Sequence, residues 1–222
     1  MSSPPTPAQA SALGSAPAKA GLILTVLILG ATVANINTSI SNVALPSIAS
    51  ALNATDTELT GITDAYQLGI AATVLYLGAV GDRYGRKGML LLGALLCVPF
   101  SLASAWSPNA VFLIVAQIAV GVAGGMLYPT TLSMITALWR GKKLTGAIAL
   151  WTGLGTGASV LGPIMGGYLL DNYWWGSVFL ITVPFALLVL VMGAIILPRS
   201  RAAEKAPVDH AGGSLSVVMI SS

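Results

Sequence analysis

Asp64 is the one carboxylate inside the long apolar runs of this chain. A carboxyl group held away from water has its charged form penalised, so it can keep a proton until a cation displaces it. The competing reading is an interfacial Asp that caps a helix start and gains from the helix dipole. A second set is polar but uncharged. Asn35, Asn37, Thr38, Ser39, Ser41 and Asn42 crowd one apolar run, and Gln117 sits in another. At about 100° per residue those six cover most of a helix except a stripe around Ile36 and Ile40. Polar groups facing lipid are costly, so they are expected either to line a hydrated cavity or to bond between helices. Tyr66, Tyr128 and Trp151 could offer ring faces to an organic cation, or simply pack. His210 and Cys97 have no metal-ligand spacing, and no nucleotide loop, catalytic triad or zinc motif is present, so no cofactor is expected.

Two glycine-bearing segments could move or pack helices. Gly78-Ala79-Val80-Gly81-Asp82-Arg83-Tyr84-Gly85-Arg86-Lys87 combines spaced glycines with an acid and three bases. The glycines allow a tight turn and close helix approach. Asp82 can form charge-assisted bonds to basic side chains or a helix N-terminus, and breaking them would release one conformation for another. A generic basic loop would explain Arg83, Arg86 and Lys87 but not Gly78, Gly85 and Asp82. Further on, Gly162, Pro163, Gly166 and Gly167 form a second cluster, and Gly153/Gly157 and Gly162/Gly166 make two G-x-x-x-G pairs. Such spacing lets backbones touch, while Pro163 kinks the helix.

The elements that carry these residues follow from charge placement. Of 222 residues, 8% are charged and 55% hydrophobic, a membrane composition. The ten Lys and Arg residues fall into four clusters: Lys19; Arg83, Arg86 and Lys87; Arg140, Lys142 and Lys143; Arg199, Arg201 and Lys205. Each gap holds two spans of about 20 residues, which returns every cluster to one side. Positive charge is retained in the cytoplasm, so both ends are expected there. The net charge of +3 is spread over loops and forms no nucleic-acid stripe. The predicted protein is an all-α membrane protein. It has a disordered tail (1–20), a six-helix transmembrane bundle (21–197), a cytoplasmic linker (198–211) and the truncated start of a seventh helix (212–222). The spans are placed at 21–46, 60–81, 88–105, 111–138, 144–170 and 177–197. The outer loops 47–59, 107–109 and 171–176 hold no Lys or Arg, and Trp106, Tyr173, Trp174 and Trp175 mark the outer boundary.

The Gly78–Lys87 segment resembles the G-x-x-x-D-R-x-G-R-[KR] loop of the major facilitator superfamily, with a complete match. Gly162-Pro163-Ile164-Met165-Gly166-Gly167 is similar to the G-P-x-x-G-G element of its antiporter branches, although Ala158 stands where that pattern has another Gly. Asn42-Val43-Ala44-Leu45-Pro46, Thr63-Asp64-Ala65-Tyr66 and Pro129-Thr130-Thr131-Leu132-Ser133-Met134 look like the fourteen-helix drug:proton antiporter branch, nearest to quaternary-ammonium and multidrug efflux pumps. The resemblance covers the N-terminal half of such a transporter. Two departures stand out: Asn37 occupies the position of a family Asp, and Gln117 that of a family Arg associated with proton coupling. Neither amide exchanges a proton at physiological pH.

The resemblance implies secondary-active efflux of lipophilic or cationic molecules by alternating access in the bacterial inner membrane. Asp64 would recognise the cation or hold the proton. Asn37, Ser41, Asn42, Tyr66, Gln117 and Tyr128 would line the cavity. Gly78, Asp82, Arg83, Gly85, Arg86 and Lys87 would form the gate. The partners expected are the lipid bilayer and either a missing C-terminal half or a second copy. Two alternatives stay open: a split half-transporter that is inactive alone and acts as an assembly partner, and a carrier of a neutral amphipathic molecule without proton coupling.

Overall fold

The computed structural model describes residues 19–198, which form helices joined by short links, with no strand among them. The helices are α1 (Ala20–Leu52), α2 (Asp56–Tyr84), α3 (Arg86–Ala105), α4 (Ala110–Leu138) and α5 (Gly141–Asn172). A short α6 (Ser177–Leu180) runs on into α7 (Thr182–Ile196), and the two make the sixth long rod. The expected tail, linker and seventh helix, with His210, lie outside the described residues apart from Lys19, Ala20 and Pro198.

The first outer loop is far shorter than the sequence suggests. The chain stays helical through Pro46 to Leu52 instead of ending at the proline. A helix in a membrane bundle tolerates the lost N–H because its neighbours re-satisfy the freed backbone. Asn53 stops α1 in the left-handed conformation (φ 48°), its N–H returning to Ala49 O. Thr55 then starts α2 with a capping box. Its N–H donates to Glu58 Oε2 at 2.8 Å, and Glu58 N–H donates to Thr55 Oγ1 at 3.4 Å. At the other end of α2, Gly85 joins α2 to α3 at φ 135°, a conformation that favours glycine.

Five of the six rods are long and apolar enough to cross a membrane: Ala20–Leu52, Arg86–Ala105, Ala110–Leu138, Gly141–Asn172 and Ser177–Ile196. The sixth, α2, carries Asp56, Glu58, Asp64, Asp82 and Arg83, and it lies along α4. One apolar core, with Ile23, Leu27, Leu90, Leu127, Met134, Trp139, Val189 and Leu197, fills the end that bears the basic clusters. A second, with Ile36, Ile40, Ile48, Ile62, Leu113, Val178 and Phe179, fills the opposite end. At that second end the Trp106 and Trp174 rings meet at a 46° tilt with centroids 5.8 Å apart, and Tyr173 is exposed. Large apolar side chains such as Val115, Leu154, Ile164 and Ile195 face outward. In water such a surface would aggregate, whereas in a bilayer it meets acyl chains.

Candidate functional site

The basic end is held by a small polar network. Asp82 Oδ1 accepts a hydrogen bond from Arg86 Nε at 2.7 Å, one helical turn away across Gly85. The same oxygen accepts from Ser133 Oγ of α4, so this acid ties α2 to α3 and to α4. Arg83 turns outward over the Tyr84 ring, 5.5 Å from its centroid. Lys87 does something different. Its Nζ donates to Ala194 O and Leu197 O, each at 2.7 Å, and so caps the C-terminus of α7 where carbonyls are unsatisfied. Gly78 packs on Pro129 and Gly81 on Met89 and Thr130, where an added Cβ would lie 3.3 Å and 3.2 Å from its nearest neighbour. Sequence reasoning missed Ser133 and the capping role of Lys87, because a partner fifty or a hundred residues away leaves no local pattern.

The polar residues of α1 mostly turn back on their own helix. Asn35 Nδ2 donates to Ala31 O, Ser41 Oγ to Asn37 O and Asn42 Nδ2 to Thr38 O, each at 2.9 Å. Ser39 Oγ crosses to Ser159 O of α5 at 2.6 Å. Asn37, Ser41, Tyr66 and Gln117 are all buried inside the bundle, so they form no open cavity wall in this conformation. Tyr66 Oη donates to Ala34 O at 2.6 Å and is committed to packing α2 against α1. Asn42 is exposed and Tyr128 half-buried. The Tyr128 ring lies 5.0 Å from that of Trp151, whose Nε1 donates to Thr131 Oγ1 at 3.1 Å. The physical reason is general: a hydroxyl or amide in apolar surroundings takes the nearest carbonyl, usually one turn back. Ser101, Thr130 and Ser177 leave a buried hydroxyl oxygen without a partner among the described residues, and Gln117 leaves both of its amide atoms so.

Asp64 is placed differently from the sequence expectation. It lies eight residues into α2, two turns from its start, and Thr55 already caps that start. The helix-cap reading of Asp64 therefore falls. The carboxylate is exposed, on a stripe with Gln67, Leu68 and Leu75 that faces away from the other five rods. On α5 the two glycine pairs part company. Gly162 meets Ser39 and Gly166 meets Val43, both on α1, whereas Gly153, Gly157 and Gly167 meet nothing within 4 Å. Pro163 is exposed. Thus α2 and α5 each present a face that no described helix covers, with Asp64 and Gln67 among leucines on α2 and glycines among large apolar side chains on α5.

The profile of the Major Facilitator Superfamily matches residues 6–219. The chain belongs to that superfamily. Among curated relatives it is 38% identical over 194 residues to the multidrug efflux pump LfrA of Mycolicibacterium smegmatis, covering 87% of this chain and 38% of that protein. It is 35% identical over 200 residues to the methyl viologen resistance protein SmvA of Salmonella typhimurium, covering 90% and 40%. The chain thus spans about two fifths of the length of these curated relatives. Its fold is similar to that of the proton:xylose symporter XylE, with a TM-score of 0.70 at 16% identity over 90% of this chain and 48% of that one. A peptide transporter, POT, gives 0.74 at 14% identity over 96% and 46%. This superfamily member is a multi-pass membrane protein.

Proposed function

We propose that this bundle is the N-terminal half of a drug-efflux transporter that moves lipophilic or cationic small molecules by alternating access. The 38% identity to a multidrug efflux pump over most of the chain carries this reading. The uncovered faces of α2 and α5 support it, because a transporter that rocks one bundle against another needs such faces at the seam. A second six-helix bundle opposes them, and substrate binds between the two near the midplane. Asp64, exposed on the α2 stripe, pairs with the cation. The basic end of the bundle faces the cytoplasm of a bacterial inner membrane, which places Asp82, Arg86 and Lys87 at the inner gate.

The test is energy-dependent ethidium efflux from vesicles containing the chain, alone and co-expressed with the C-terminal half of LfrA. Efflux that Asp64→Asn abolishes while leaving the folded amount unchanged supports the reading. Efflux indifferent to Asp64→Asn removes that residue from the site. A folded chain silent in both settings overturns the efflux reading.

A further inference from the structure

Some buried hydroxyls in this bundle bond a carbonyl one turn back, as Ser41 and Ser104 do. Ser101, Thr130 and Ser177 each leave one buried hydroxyl oxygen without a partner among the described residues, and Gln117 leaves two atoms in that state. It is fully buried, and neither Oε1 nor Nε2 has a partner among the described residues. Buried polar groups are nearly always satisfied by protein or by ordered water, and Gln117 carries both a donor and an acceptor.

The register of α4 says what Gln117 faces. Gln117, Gly124 and Thr131 are spaced by seven residues and share one face of the helix. Thr131 packs on Gly30 of α1, and Gly124 packs on the Tyr66 hydroxyl that donates to Ala34 of α1. As α4 is followed from Thr131 back to Gly124, the level on α1 therefore rises from Gly30, touched directly, to Ala34, reached through Tyr66. One further step of seven residues back, about 10 Å of rise, brings Gln117 to the level of Asn37 and Ser41. Those two lie on the α1 face that Gly30 and Ala34 define, and they are 2% and 3% exposed. Their mutual contact is loose: Ser41 Oγ reaches Asn37 Oδ1 at 3.3 Å while bonding Asn37 O at 2.9 Å. Asn37 Oδ1 thus retains accepting capacity at the level of an amide with none of its own needs met.

We propose that Gln117, Asn37 and Ser41 form a hydration site in the bundle core, where ordered water accepts from Gln117 Nε2, donates to Gln117 Oε1 and reaches the Asn37–Ser41 pair. Two to four polar partners are what a buried water requires, and this cluster supplies them. The site is neutral, so it bridges α1 and α4 through bonds that water can exchange without any protonation change. It does not depend on what the transporter carries.

Radiolytic hydroxyl-radical footprinting of the full chain in nanodiscs tests it, since bound water activated in place labels buried neighbours that bulk radicals cannot reach. Tyr66 is the reporter, being buried with its backbone against Gly121, one turn of α4 from Gln117. Cys97, buried on α3, is the dry control, and exposed Tyr84 is the bulk control. The expected result is rapid labelling of Tyr66 with Cys97 unlabelled, and loss of the Tyr66 label in Gln117→Met with Tyr84 labelling unchanged. If Gln117→Met does not fold, Ser41→Ala is read the same way. An unlabelled Tyr66 in the parent chain, or a label that survives both substitutions, overturns the proposal.

Discussion

At the closest approach of α2 and α4, Gly69 and Gly121 meet backbone. A Cβ added to Gly69 would sit 2.5 Å from Ile118 O and 3.0 Å from the Cα of Gly121, and one added to Gly121 would strike Tyr66 O. Along the seam between α1 and α5, glycine meets side chains: Gly162 faces Ser39, Gly155 faces Ala31 and Gly166 faces Val43. The difference has consequences for rigidity. Backbone cannot rotate out of the way, so α2 and α4 behave as one body, further tied by Asp82 and Ser133. The α5 contact is softer and one-sided, with its other face uncovered.

The largest expected effect tests the rigid seam. Gly121→Leu places a side chain where only hydrogen fits, and overpacking against fixed backbone costs about 3 kcal/mol or more. We expect loss of the monodisperse species in detergent size exclusion; a Tm equal to the parent's would show that α2 and α4 can separate. Gly162→Leu should cost less, about 1–3 kcal/mol, because Ser39 Cβ, 2.8 Å from the added Cβ, can be relieved by a shift of α5, whose other face is uncovered. A thermal shift as large as that of Gly121→Leu would erase the distinction between the seams. Gly157→Ala should be the smallest, within about 0.5 kcal/mol, since nothing lies within 4 Å of its Cβ position. A clear fall in Tm for that change would mean that the outer face of α5 is already packed, as in a dimer of this chain.

Charge and hydropathy made much of this architecture readable in advance. Basic clusters around Arg86 and Arg140, with no Lys or Arg in the intervening turns, gave the spacing of the helices, because crossing a bilayer forbids charge in the middle and concentrates it at the ends. The Gly78–Lys87 pattern marked the end of α2 for the same reason. The boundary near Pro46 was not readable in that way. Proline signals a stop in water, and only the caps at Asn53 and Thr55 show where α1 ends and α2 begins. The polar residues of α1 misled for another reason: they encircle the helix, so periodicity could not say which of them face a neighbour.

The sequence by itself determined that this is a six-helix membrane bundle with its positive charge at one end. Those properties follow from local composition and the cost of moving polar groups into hydrocarbon. The tertiary structure alone decided that Asp64 lies deep on an uncovered stripe, that Asn37, Ser41, Tyr66 and Gln117 are sealed inside, and that only one glycine pair of α5 meets a partner. These depend on the rotation of each helix about its axis. Packing against distant neighbours sets that rotation, and a stretch of residues that is apolar nearly all round does not encode it.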